Sequence, residues 1–297
     1  MLNNKGYVFF VDILGFSALT QYQINLNEED YKARVLKHNQ WDNSYFAAEI
    51  LIEFREVLLE VKKEIPAINI AQLSDCAFLW SDNIWTLLCS VHLTMWLMIQ
   101  ERGILCRGGL GLGSMVGAKR EPKAFGEFVV GSAVTMAVKN EGIFKGPRIA
   151  MDPSFPQELW NYKKKNDLKL GYKLINDIFH ECENPINYQF VDEYRWYLCN
   201  KEQFDRVTKE HSVTNDEKKE VTRDRIILCN SLIYDPRMRW NTINEGNTHI
   251  QAGIKAISSD NILDFHHNFT YKYGVSITRS FKNLKNANNL VTKEFNA

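Results

Sequence analysis

The chain reads as an α+β protein, a mixed β-sheet packed with α-helices, with a mostly helical appendage at its C-terminal end. Three observations predict this. Aromatic and β-branched stretches such as YVFFVDI alternate with segments of three- and four-residue apolar spacing. The elements run βα, ββ, αβ, then α and β, an order that faces a sheet with helices. The last third is charged and polar between apolar helical patches. The expected division is a core domain over residues 1–200 and a helical extension over 201–297 that packs on the core or on a dimer interface.

The elements follow in order. YVFFVDI is a strand buried on both faces. The segment from Asp30 to Ile65 reads as one helix, which Pro66 ends. AINIAQLSDCAFLWS reads as two strands joined by a tight turn at Leu73, Ser74 and Asp75. Ser81 or Asp82 is a suitable N-cap for a helix from Ile84 to Glu101, and Gly103 stops it. CRGGLGLGSMVG is a glycine-rich strand, AKREPKAFGEF a loop, and VVGSAVTMAVKNEG a helix closed by Gly142. PRIAMDPSF resembles a further strand. Residues 200–225 are charge-dense and read as a solvated helix or loop, and the asparagine-rich tail from Phe281 is expected to fray.

Composition narrows the function classes. Hydrophobic residues make up 45% and charged residues 24%, and 36 Lys+Arg balance 36 Asp+Glu. A protein that lives on nucleic acid usually carries a basic excess, so nucleic acid is not expected as a partner. The six cysteines form no CxxC pair and sit mostly in apolar runs, which suits reduced, buried thiols and a cytoplasmic location. The longest apolar run, residues 84–99, falls short of the ~20 residues a membrane span needs and contains His92. It reads as a core helix with a core histidine, and no membrane association is expected.

Three features carry chemistry. Asp12 interrupts an apolar strand and is followed by Gly15, Phe16 and Ser17. Asp75 lies at the tip of a hairpin. The glycines of CRGGLGLGSMVG let a backbone or ligand approach closely. In this order and spacing, FVDILGFS, LSD, CRGGLGLGSMVG with Arg107, and VVGSAVTMAVK resemble the class III nucleotidyl cyclase domain, whose core is ferredoxin-like. The resemblance covers about half the chain, roughly residues 7–152.

The resemblance implies a reaction and a site. A ribose 3′-hydroxyl attacks the α-phosphorus of a nucleoside triphosphate and pyrophosphate leaves. Two divalent ions about 4 Å apart can activate the hydroxyl and neutralise the leaving charge. The resemblance assigns them to Asp12, Asp75 and the backbone carbonyl of Ile13. Oxygen ligands suit Mn²⁺ or Mg²⁺. The backbone of Gly15, Phe16 and Ser17 would take the triphosphate.

The departures from the family are equally informative. Where purine cyclases carry their base-reading pair, this chain has Ala71 and Phe128, neither of which can hydrogen-bond a purine edge. Where the family places the asparagine and arginine that orient the ribose and stabilise the transition state, it has Thr135 and Lys139. Lysine keeps the charge and loses the bidentate fork. This combination resembles the pyrimidine cyclases of the bacterial Pycsar antiphage system, which make cyclic UMP or cyclic CMP from UTP or CTP for a separate cyclic-nucleotide-binding effector. Phe128 fits a smaller base, and cyclic UMP is favoured. Tyr45 and Phe46 are candidates for further base contacts, with core packing the plainer reading. Because such sites straddle two domains and this chain has one, a head-to-tail homodimer is expected, with its seam around GLGLGSMVG. Two other readings stay open: a purine cyclase with an atypical base pocket, and an inactive nucleotide-binding regulatory module.

Overall fold

Alternation along the first strand sets the two faces of the sheet. β1 (Asn4–Ile13) sends Phe9, Val11 and Ile13 into the larger core, while Val8 and Phe10 join a smaller cluster opposite. Asp12 belongs to the second series and follows its last apolar member. The computed structural model describes residues 4–117, 127–166, 179–183, 190–198, 215–243, 248–258 and 281–296.

β1 is central. It is followed by the hairpin of β2 (Asn69–Leu73) and β3 (Cys76–Ser81), then by β4 (Cys106–Gly117), β5 (Val129–Val130), β6 (Ile149–Met151), β7 (Phe179–Glu183) and β8 (Phe190–Tyr194). The order across the sheet is β2-β3-β1-β4-β6-β8-β7, with β5 paired to the end of β4. β1 is antiparallel to β3 and β4, whereas β4 and β6 are parallel. The sheet is therefore mixed, and the α+β reading holds.

The first helices are α1 (Phe16–Thr20), α2 (Glu28–Ala33), α3 (Asn43–Glu64) and α4 (Ile84–Trp96). α3 and α4 fill the larger core with Phe46, Ile50, Phe54, Val57, Leu87, Leu88 and Val91. On the opposite face lies α5 (Ser132–Glu141), and after β6 comes α6 (Ser154–Lys165). The C-terminal part is helical: α7 (Asn215–Tyr234), α8 (Arg239–Ile243), α9 (Thr248–Ile257) and α10 (Phe281–Asn296).

Several sequence expectations are corrected. The stretch from Asp30 to Ile65 is broken into the end of α2, a 3-10 turn at His38–Gln40 and α3. Asn27 caps α2 and Asp42 caps α3, each accepting backbone N–H bonds, and Val35 between them adopts φ 59°. α4 is capped by Asn83, whose side chain accepts from Trp85 and Thr86 N–H, rather than by Ser81 or Asp82. Ser81 instead accepts the Asn83 N–H. α4 continues into a π-helical turn at Leu97–Glu101, and Gly103 at φ 57° stops it as expected.

α5 starts later than VVG, because Val129 and Val130 pair with β4. The described end of the charge-dense segment is not all solvated. Asp224 and Arg225 are buried, and Arg225 Nε donates to the Ile257 carbonyl at 2.7 Å. The tail forms α10, which buries Val291 against Ile226 of α7. Residues 118–126, most of the AKREPKAFGEF loop, lie outside the described residues, as do 201–214.

The glycines of β4 are covered from within the chain. A Cβ on Gly109 would lie 2.1 Å from the Ala137 carbonyl oxygen, and one on Gly111 2.0 Å from that of Ala133. The close approach expected of this strand is thus made by α5. Asn140 of α5 adds a hydrogen bond to the Leu110 carbonyl at 2.8 Å. Among the cysteines whose side chains are described, Cys106 and Cys229 are buried, Cys76 and Cys89 are half-buried, and none of the four is in a disulfide. Among the described residues no helix is long and apolar enough to cross a membrane.

Candidate active site

Backbone pairing brings the two aspartates together. Asp12 sits near the end of β1, facing Cys76 of β3 on one side and Arg107 of β4 on the other. The β2–β3 turn holds Ser74 at φ 58° and carries Asp75. The Ile13 N–H donates to the Asp75 carbonyl at 3.0 Å, which ties the hairpin tip to the end of β1. Asp12, Ile13, Gly15, Phe16, Ser17 and Asp75 all line one cavity of about 500 Å³.

The turn after β1 is fixed from both sides. Leu14 N–H donates to the Leu105 carbonyl at 2.8 Å, and Asn241 Nδ2 donates to the Leu14 carbonyl at 2.9 Å. Gly15 then adopts φ 83°, a left-handed conformation that a side chain would strain. A Cβ there would also come within 3.2 Å of the Trp240 ring. Phe16 is buried, Ser17 is exposed, and the first N–H groups of α1 face the start of a helix where no intrahelical acceptor exists.

The carboxylates share an unfavourable field. Burial pushes the Asp12 carboxyl up to about 7, Glu141 and Asp75 add to the rise, and Arg107 opposes it. Arg107 itself pairs through Nε with Glu141 of α5. Burial and the nearby carboxylates push the Cys76 thiol up to about 11, and burial, with Asp12, raises the Cys106 thiol well above its usual range.

The donor set fits a hard divalent cation. It offers two carboxylates and main-chain oxygen, and a cation would offset the burial and the neighbouring negative charge that raise Asp12. Among the described residues no cluster of three His, Cys, Asp or Glu side chains is placed to hold a metal. The remaining ligands of any cation here would therefore be main-chain oxygen, water or phosphate.

The other expected residues lie elsewhere. Ala71 faces Phe78 across the hairpin and packs into the smaller cluster. Phe128 is 50% exposed just before β5. Thr135 and Lys139 are exposed on α5. None of these four lines the cavity within one chain. Phe46 is a core residue and Tyr45 an exposed one on α3.

Sequence reasoning missed four participants. Lys145, Asn241 and His249 line the cavity, and Glu141 anchors Arg107. Lys145 precedes Gly146–Pro147, a loop signal that could have been read; Asn241 and His249 sit in ordinary helical sequence with no local mark.

No protein-family model and no curated protein matches the chain. Among solved structures, the chain is similar to the non-canonical dimeric guanylyl cyclase domain of the RhoGC fusion protein from the aquatic fungus Blastocladiella emersonii, at 14% identity and TM-score 0.41, covering 65% of this chain and 94% of that one. It is similar to the adenylyl cyclase CyaB from P. aeruginosa, at 15% identity and TM-score 0.38, covering 65% and 93%. It is also similar to a bacterial light-regulated adenylyl cyclase, at 13% identity and TM-score 0.42, covering 70% and 100%.

Proposed function

We propose that the chain is a nucleotide cyclase that converts UTP or CTP into a 3′,5′-cyclic monophosphate and pyrophosphate, with UTP preferred. One observation carries the reading: Asp12 and Asp75, far apart in sequence, border the same cavity as the Gly15–Ser17 turn. That is the juxtaposition a triphosphate and its cations require.

Asp12, Asp75 and the Ile13 carbonyl would hold the divalent ions. When bound, these ions lower the pKa of the attacking hydroxyl and neutralise charge on the leaving pyrophosphate. The chain's own residues do the rest. The Gly15–Ser17 backbone orients the phosphates with N–H donors. Arg107 brings positive charge to the carboxylate end, held there by Glu141. The 3′-hydroxyl then forms a bond to the α-phosphorus, the bond to the pyrophosphate oxygen breaks, and the hydroxyl proton leaves to solvent.

Pyrimidine selectivity is inferred from Ala71 and Phe128, which offer no hydrogen bond to a purine edge. Their absence from the cavity lining in one chain, together with the exposure of Thr135 and Lys139, fits a head-to-tail homodimer in which the partner supplies these groups. The product would serve a separate cyclic-nucleotide-binding effector, as in the antiphage systems the sequence resembles. A second reading, nucleotide binding without turnover, draws on Thr135 and Lys139 standing where that family has asparagine and arginine.

The test is a panel of the four labelled nucleoside triphosphates with Mn²⁺, read by chromatography. The expected result is a cyclic monophosphate from UTP or CTP. Product from ATP or GTP alone would overturn the pyrimidine assignment, and tight binding with no product would favour the second reading.

A further inference from the structure

The C-terminal helices build part of the cavity wall, through Asn241 and His249. Asn241 of α8 is buried, and its Nδ2 holds the Leu14 carbonyl at 2.9 Å, immediately before the Gly15 turn. That bond also fixes which end of the amide is oxygen. Asn241 Oδ1 has no hydrogen-bond partner among the described residues, an unfavourable state for a buried acceptor, and the residue borders the cavity. A donor arriving with a ligand, such as cation-bound water, would satisfy it.

His249 of α9 does the equivalent for a second loop. Its Nδ1 accepts the Gly146 N–H at 3.2 Å. Gly146 sits so close to α9 that a Cβ would lie 2.7 Å from the His249 carbonyl oxygen and 2.8 Å from the Gly253 nitrogen. The residue before it, Lys145, borders the cavity together with His249. The lining of the cavity thus includes the cationic Lys145 side chain as well as the two carboxylates.

We propose that this wall is the seat of the polyphosphate chain, with Lys145 as a direct phosphate contact and Asn241 and His249 as positioning residues for the Gly15 turn and the Lys145 loop. This rests on the nucleoside triphosphate reading for its choice of ligand, and it assigns chemistry to a part of the chain expected only to buttress the core. A cationic side chain seated on a fixed loop recognises phosphate by charge-assisted hydrogen bonds.

The test is calorimetric binding of inorganic tripolyphosphate with Mg²⁺ to the full-length protein. Asn241→Ala, His249→Ala and Lys145→Ala should each weaken binding by about tenfold or more. His249→Gln, which keeps an acceptor for the Gly146 N–H, should recover most of the loss. Lys255→Ala, exposed on the same helix, should bind as the wild type does. If His249→Ala unfolds, the exposed Lys145 side chain still reports on the same wall.

Wild-type affinity in Lys145→Ala and Asn241→Ala would overturn the proposal, as would an equal loss in Lys255→Ala or no binding by the wild type. Loss of binding in the variants with no cyclic product from any triphosphate would uphold the wall and sink the cyclase reading instead.

Discussion

At the scale of single residues, position within the strand period decides what a polar side chain does. Asp12 lies on the thin face of the sheet, just past Phe10, where a cavity begins. Its oddity in an apolar run was legible in sequence, and so was its partner Asp75, because hairpin tips mark themselves. The Glu141–Arg107 pair was not, since nothing in either local sequence records a meeting across 34 positions. His92 is the contrasting case. It lies in the core beside Trp96, their rings 6.2 Å apart, and burial pushes its pKa from 6.5 down to about 3.

The unfolded chain therefore binds a proton at His92 that the folded chain does not. The contribution to stability is complete above pH 6.5 and is lost as pH falls from there toward 3. His92→Leu should flatten the pH dependence of unfolding over that window by up to about 1.4 kcal/mol per pH unit. Urea titrations at pH 7 and pH 5 measure it, and an unchanged slope in the variant would contradict the assignment.

At the scale of elements, strands were read more faithfully than helix boundaries. Aromatic and β-branched residues marked β1, turn residues the β2–β3 hairpin, and the glycine row β4. Helix ends depended on which polar side chain wins the capping role, and Asn83 rather than Ser81 or Asp82 reached the free N–H groups of α4. The break between α2 and α3 was hidden because apolar spacing continues across it. The glycine row of β4 announced a close approach but not its partner, which proved to be α5.

That contact gives a sharp prediction. Gly111→Ala places a methyl against the Ala133 carbonyl and forces α5 off the sheet, which overpacking data put at about 1–3 kcal/mol. Because α5 carries Thr135, Lys139 and Glu141, the same variant should lose activity beyond its loss of stability. Denaturant midpoints compared with turnover test this, and a variant as stable as the wild type would refute the packing.

At the scale of the whole molecule, the segment Arg237–Trp240 is bound into the core by buried ionic and hydrogen-bonded contacts. Arg34 donates to the carbonyls of Gly103 and Arg237 and pairs with Glu53, and Arg239 pairs with Asp30. Trp240 packs beside Phe46, ring centroids 6.1 Å apart, and backs the Gly15 turn. These long-range contacts leave no trace in local periodicity, so the sequence disclosed the aspartate half of the site and concealed the Lys145, Asn241 and His249 half.

The central claim is that Asp12 and Asp75 act as a pair on a triphosphate held in this cavity. It is tested most directly by incubating wild type, Asp12→Asn and Asp75→Asn with UTP, CTP and Mn²⁺ and quantifying cyclic monophosphate. The predicted result is product from the wild type and a fall of at least about a hundredfold in each variant, with folding intact. Cyclic product formed undiminished by either variant would contradict it.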